Sequence, residues 1–334
     1  MLELKNLTVS SSPHIRAKQS TGSIMRDVCF ALLPALIAGV VFFGPRALTV
    51  TLVSVAACVF FEWAYRKLLK LDCTICDGSA MVTGMLLAFV CPVTVPYWAL
   101  IIGDFFAIVI VKQLFGGIGK NFMNPALAGR AFMFSWAVIM TTWVQNGVKV
   151  NPFANLTDPT VLDGMTAATP MAAMKLGDLP ATSILESFMG TVGGCIGETS
   201  ALLLLLGGAW LVIRKVISPR IPLVFIATVA VLTFLFPQGN DRITWMAYQV
   251  FSGGLMLGAI FMATDYVTSP VTKLGQTIFA IGCGVLTVLI RYFGSYPEGV
   301  SYAILIMNAC VGLLDRIGLP KQFGAVKEKK GGAA

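Results

Sequence analysis

The sequence predicts an all-α polytopic membrane protein of about ten transmembrane helices, arranged as two inverted five-helix repeats with interrupted helices. Three observations predict it. Charged residues make up 12% of the 334-residue chain, about half the share of a soluble domain. The hydrophobic residues, 57% of the total, fall in blocks long enough to cross a bilayer. Proline and glycine pairs cut some of these blocks short.

The blocks cover residues 28–43, 47–64, 79–91, 97–115, 126–144, 194–213, 221–236, 245–263, 274–293 and 299–314. The third is too short to cross alone. It ends at Cys91-Pro92 with Pro96 just beyond. Proline removes a backbone donor and disfavours helix in the residue before it, so a broken or partly re-entrant helix is expected there. Asp77-Gly78-Ser79 opens the third block and Gly197-Glu198-Thr199-Ser200 the sixth. Gly116-Gly117 precedes the fifth, and Gly253-Gly254 lies within the eighth. Two halves of five spans each must be inverted relative to one another.

The organisation is then a cytoplasmic N-terminal segment 1–27, a first membrane repeat 28–144, a polar loop 145–193, a second repeat 194–314 and a basic tail 315–334. The first segment carries Pro13, His14, Arg16 and Lys18 without the short apolar core of a signal peptide. Nineteen of the 24 basic residues fall on the side shared by both termini, including Lys112, Lys120 and Arg130. The other five, among them Arg46, Lys149 and Arg291, fall opposite. The positive-inside rule puts both termini in the cytoplasm and the 145–193 loop outside. The net charge of +8 therefore reflects topology and not a nucleic-acid-binding face.

The eight cysteines are scattered, mostly within apolar runs, and form no disulfide framework. Cys73 and Cys76 make one CxxC, either a metal or redox pair or loop packing. Trp63, Tyr65, Tyr97 and Trp98 suit membrane interfaces. Ionisable residues within or beside spans are Glu62, Asp104, Glu198, Asp265 and Glu298. A charge at mid-bilayer costs roughly 3 kcal/mol, so each invites a role. Glu198 and Asp265 sit beside expected helix breaks. They are candidates for ion coupling, with Glu298 at a rim, or for capping exposed amides. Glu62 is expected to be solvated at the membrane edge, and Asp104 has no motif around it. No residue set resembles a metal centre, a dinucleotide fold or an iron–sulfur ligand pattern.

The run Asp163-Gly164-Met165-Thr166-Ala167-Ala168-Thr169-Pro170 places two hydroxyls among small neighbours behind a carboxylate. It is either an ordinary turn ending in proline or a place where a bulky group reaches a threonine oxygen. It resembles the flavinylation motif Asp-x-x-Ser/Thr-Gly-Ala-Thr/Ser of the family that unites the D-type subunits of Rnf complexes with the B-type subunits of Nqr complexes, with Ala167 where glycine is usual. Other stretches carry the same resemblance: Ser12-Pro13-His14-Ile15-Arg16, Gly116 through Ala126, Gly197 through Ser200, Phe261 through Asp265 (with Tyr266 where proline is usual) and Glu298 through Asn308.

The resemblance implies FMN attached through its phosphate to Thr169 by a flavin transferase, with Asp163 and Thr166 as the other motif positions. It also implies a second, noncovalent flavin, either riboflavin or FMN. Gly117, Gly119, Asn121 and Asn124 are candidates for holding it, since glycines admit a planar ligand and asparagines can bond its edge. A helix-entry turn would explain the same residues. The implied role is an electron carrier in a prokaryotic inner-membrane complex passing electrons between ferredoxin and NAD and moving sodium or protons. Its partners would be the other Rnf subunits, the transferase and membrane lipid. The B-type subunit of the sodium-pumping NADH:quinone reductase and a non-redox channel-like transporter are the alternatives.

The charge asymmetry generates a direct test. A cysteine introduced at Asp178 should react with an impermeant thiol reagent added to intact cells, and one at Lys67 should not. The reverse pattern would overturn the orientation.

Overall fold

The computed structural model describes residues 19–145, 147–154, 166, 169–198, 200–239, 241–296 and 298–318. The described residues are helical apart from turns and one isolated antiparallel bridge between Val144 and Thr166. The first helix, α1 (Thr21–Phe43), starts seven residues before the expected span. Ser20 and Ser23 form a reciprocal capping box that draws a polar turn into the helix. Gly44 ends it at φ 86°, and α2 (Pro45–Leu68) follows with proline at its first position.

The third block is a short helix, α3 (Ser79–Phe89), followed by a non-helical stretch that is buried through Val95. Helix α4 (Tyr97–Phe105) continues without a break into a π-helix, Phe106–Gln113. Asn124 then caps α5 (Pro125–Met133), and a 3-10 turn leads into α6 (Ala137–Met140). Two short helices, α7 (Pro170–Lys175) and α8 (Ile184–Met189), lie in the loop between the halves.

The second half holds α9 (Ala201–Ile213), α10 (Arg220–Leu235), α11 (Arg242–Phe251) and α12 (Leu255–Leu257), the last running into a π-helix Gly258–Met262. It closes with α13 (Lys273–Phe293), α14 (Val300–Ala309) and α15 (Val311–Leu314). The sixth block begins at Ala201 and not at 194, because Ser200 caps the helix and 194–198 stay irregular. The eighth is broken at Ser252-Gly253-Gly254 with a bend of 59°.

By length and composition α1, α2 and α13 can each cross a bilayer, and the bent pair Arg242–Phe251 and Leu255–Met262 can act as a fourth span. Exposed Phe30, Ile37 and Val41 on α1, Leu52 and Phe60 on α2, and Leu223 and Val231 on α10 make outer surfaces suited to lipid. Within the first half α2 packs on α3 and α4, and α4 on α5. Within the second, α10 packs on α11 and α13, and α13 on α14. The halves meet through α1 against α9 and α5 against α14.

Both helix breaks are held by a buried arginine. Arg46 donates from Nε to the Val93 carbonyl at 2.9 Å, and from its two terminal nitrogens to Val95 at 3.3 Å and Pro152 at 3.0 Å. Arg291 donates to the carbonyls of Gln249 at 2.5 Å, Ser252 at 3.2 Å and Gly253 at 3.1 Å. Carbonyls freed by a break at membrane depth have no water to turn to, and the guanidinium fork supplies several donors at once. Lys112 and Arg130, which the sequence assigns to the cytoplasmic side, are also buried. Setting these four buried cations aside leaves the charge asymmetry in place.

Helices α2 and α3 approach closely at Gly84. A Cβ there would lie 2.8 Å from Val55 Cα and 2.9 Å from the Ser54 carbonyl. Gly84→Leu should therefore force α2 and α3 apart, at about 1–3 kcal/mol for overpacking. A lowered thermal midpoint in detergent is expected. Gly312→Leu, where a Cβ meets nothing within 4 Å, should leave the midpoint unchanged.

Candidate functional site

The candidate residues separate into two places. A cavity of about 380 Å³ opens between the first turns of α1, the start of α3, the glycine–asparagine turn and the segment after the second π-helix. Gly119, Asn121, Asn124 and Asp265 all line it. The two π-helices each add a wall residue, Lys112 and Phe261. Such wide turns recur at functional sites because they rotate side chains off the regular helical path.

The cavity is reached by the chain reversal after the first π-helix. Gly116, Gly117 and Gly119 adopt φ of 110°, 89° and 89°, a region that side chains resist. Gly117 is outside the cavity wall. A Cβ there would meet the Arg66 guanidinium. Asn124 is committed to structure: its Oδ1 accepts from the amides of Ala126 and Leu127, and its Nδ2 donates to the Met262 carbonyl. Asn121 donates to the Met123 carbonyl at 3.2 Å. Asp265 accepts from Thr268 at 3.1 Å and from the Val267 amide at 3.5 Å, as a local turn cap.

One turn further along α5, Arg130 sits 3% exposed at the centre of a charged cluster. It donates to Ser301 at 2.7 Å, to Glu198 at 3.4 Å, to Cys195 at 3.8 Å and, in a short contact, to Glu298. Glu198 and Glu298 are thus joined through one guanidinium, although a hundred residues separate them. Gly254, at φ 68°, leaves the space its Cβ would take to the Glu198 carboxylate. Cys195, Glu198 and Glu298 lie close enough to share an ion, but Arg130 already engages all three.

Thr169 borders the same cluster. It lines a small void of about 20 Å³ with Glu198, Gly253 and Glu298. The residue is 5% exposed, and its hydroxyl caps α7 by accepting from the Ala172 amide at 3.3 Å. Thr166 bridges to Val144, while Asp163, the N-terminal signature around His14 and the tail beyond 318 lie outside the described residues. The first turns of α1 line the large cavity, and its last turns meet Ile196 and Val150. Val28 and Gly39 are separated by about 16 Å of helix, so the two sites lie at different depths of the bundle, with α5 running between them.

Sequence reasoning missed Arg130 and Lys112 as site residues, since both count there only as charges of the cytoplasmic side although each lies inside an apolar block. A cation inside an otherwise apolar block was the available signal. Glu62 is corrected outright. It is 1% exposed and not solvated, and it accepts from Lys112 at 2.7 Å and from Thr74 at 2.7 Å. Lys112 also donates to Ser79 at 2.7 Å. Cys73 and Cys76 are both exposed and free. Trp63 and Trp98 are exposed, Lys67 lies over the Trp63 ring, and Tyr97 bonds to Thr49, in keeping with rims.

A sequence model of the NQR2, RnfD, RnfE family matches residues 8–324. The chain is 49% identical over 329 residues to the D-type subunit of the Na(+)-translocating ferredoxin:NAD(+) oxidoreductase complex of Acetobacterium woodii, across 97% of this chain and 98% of that one. It is 43% identical to the D-type subunit of the Proton-translocating ferredoxin:NAD(+) oxidoreductase complex of Clostridium ljungdahlii, across 96% and 97%. It is 39% identical to the D-type subunit of the Ion-translocating oxidoreductase complex of Stutzerimonas stutzeri, across 92% and 93%. Matched along nearly its whole length, the chain belongs to the NQR2, RnfD, RnfE family.

Proposed function

We propose that this chain is a membrane electron-carrier subunit of an ion-translocating ferredoxin:NAD oxidoreductase complex, bearing FMN on Thr169 and a second flavin in the large cavity. The full-length similarity to the D-type subunits of such complexes is the observation that carries this reading. That similarity favours the ferredoxin-linked complex over the quinone-reducing alternative. Relatives named for sodium and for protons are both similar along the whole chain. The shared fold therefore does not by itself set the coupling ion. The helix pairings repeated in the two halves, and a break in each, support ten spans in two inverted repeats. Both termini then face the cytoplasm of a prokaryotic cell.

The large cavity fits a flavin in kind. Its volume lies within the range of small-molecule sites, its walls are mainly apolar, and a few polar groups converge on it. Gly119 admits a flat ring, Asn121 can bond its edge, and Lys112 brings positive charge to the wall. A flavin held there supplies one- or two-electron transfer, and the protein sets its orientation and its electrostatics. The void beside Thr169 has room for about one water. A phosphoester on that hydroxyl would need more room beside Glu198 and Glu298 than this void holds.

Thr169→Ala should abolish the flavin fluorescence of the denatured chain made with its transferase, and Thr169→Ser should retain it. Thr166→Ala should reduce it at most. An FMN-sized mass increment on the Thr169 peptide is expected. Its absence from wild-type chain, or fluorescence surviving in Thr169→Ala, would overturn the assignment.

Asp265 lines the cavity next to a π-helix, where carboxylates and freed carbonyls can form ion sites. Asp265→Asn should weaken ion transport by reconstituted complex more than flavin incorporation. Full coupled transport with the neutral side chain would leave Asp265 a turn cap only. Glu198 and Glu298 are the other candidates for the ion path.

A further inference from the structure

Away from both sites, α2 carries an unusual inner face. Ser54, Cys58 and Glu62 recur every four residues and are no more than 1% exposed. They form a polar stripe along the packed side of a helix whose opposite face is apolar. Facing Ser54 and Cys58 is Asp104 on α4, with no exposure at all. Its Oδ1 lies 2.6 Å from Ser54 Oγ and accepts from Cys58 Sγ at 3.2 Å. Its Oδ2 is buried and has no hydrogen-bond partner.

Among the described residues, no cation answers this carboxyl. Helices α2, α3 and α5 and the π-helix pack against α4. On α2, Arg46 binds backbone carbonyls at the far end, and Glu62 is engaged by Lys112. Within α3 there is no titratable side chain, and Cys91 lies just beyond it. On α5, Arg130 is committed to Glu198, Glu298, Ser301 and Cys195. In the π-helix, Lys112 is held by Glu62 and Ser79. A bare carboxylate here would be an unpaired buried charge, among the costliest arrangements a protein core can hold.

The hydrogen count points the same way. Ser54 Oγ lies 2.6 Å from Asp104 Oδ1 and 2.9 Å from the Gly84 carbonyl oxygen. The hydroxyl has one hydrogen and two acceptors to satisfy. A proton on Oδ1 donated to Ser54 Oγ lets the serine hydrogen go to Gly84. The thiol of Cys58 can still donate to Oδ1.

We propose that Asp104 is a proton-binding site: a neutral carboxylic acid in the core of the first helical half that exchanges its proton through Cys58 and Glu62 toward Lys112 and the large cavity. The step is proton transfer alone. The exchange is concerted: one proton leaves Asp104 along the chain of Cys58, a water and Glu62 as another arrives, so the carboxyl is neutral before and after and Glu62 remains the charged partner of Lys112. Cys58 and Glu62 are one helical turn apart, about 6 Å between Cβ atoms, a gap one water can bridge. Lys112 Nζ, 2.7 Å from Glu62, stands in the cavity wall. The charge of whatever the cavity holds therefore acts on the outlet of the path. The ligand is a proton and not a metal cation. Hard cations take about six oxygens, and one free carboxyl oxygen beside a hydroxyl, a thiol and a helical carbonyl falls far short.

The test is infrared difference spectroscopy on the assembled complex at neutral pH, in water and in heavy water. Wild type minus Asp104→Asn should contain a carboxylic-acid carbonyl stretch that shifts in heavy water. Ser54→Ala and Cys58→Ala should each shift that band, because each removes a partner of Oδ1. Glu62→Gln should slow its hydrogen–deuterium exchange. If Asp104→Asn does not assemble, the shifts in Ser54→Ala and Cys58→Ala decide the matter. Any of three results would overturn the site: no acid band lost in Asp104→Asn, no shift in both Ser54→Ala and Cys58→Ala, or a band that moves when sodium replaces potassium.

Discussion

Everything in this structure depends on how backbone carbonyls freed by broken helices are satisfied away from water. An unbroken helix closes its own hydrogen bonds, and a break exposes several acceptors at once. Here the breaks after α3 and after α11 are each closed by an arginine from a long, straight helix: Arg46 at the start of α2 and Arg291 at the end of α13. Each guanidinium binds several carbonyls and, among the described residues, forms no ion pair with a carboxylate. These breaks let loops approach the bundle interior, and both candidate sites are built beside irregular backbone.

The same constraint governs the buried charges. Arg130 gathers two carboxylates, a serine and a thiol, so its desolvation is offset by several contacts rather than by one ion pair. Lys112 and Glu62 satisfy one another with help from Ser79 and Thr74. In both groups a side chain from one helix closes on residues remote in sequence, which ties the helices into a single arrangement. Removing Arg130, Lys112 or Glu62 would strand a charge, and that is costlier than losing a neutral contact.

Much of the fold is legible in the sequence because lipid imposes a simple rule on composition. All ten apolar blocks contain helix, the third is short, and the eighth breaks at its glycine pair. Boundaries moved where polar caps decide them, as at Ser20 and Ser200. The site is less legible. Asn121, Asn124, Gly119 and Asp265 do meet in one cavity, but Gly117 is outside it and Asn124 is spent on capping. Thr169 is placed as a buried cap, which a run of small residues does not reveal.

The sequence by itself determined that this chain is a helical membrane protein and which short motifs it carries, because span length, interruption and motif spacing are local properties. Only the tertiary structure decided the fate of each charge. Glu62 reads as a rim residue and is buried. Lys112 and Arg130 count as cytoplasmic-side charges and lie in the core, and Asp104 reads as a residue without a motif and faces a serine and a thiol, with no cation beside it among the described residues. The physical reason is that desolvation and pairing depend on what other helices bring to a side chain. No window of sequence contains a partner fifty or a hundred residues away.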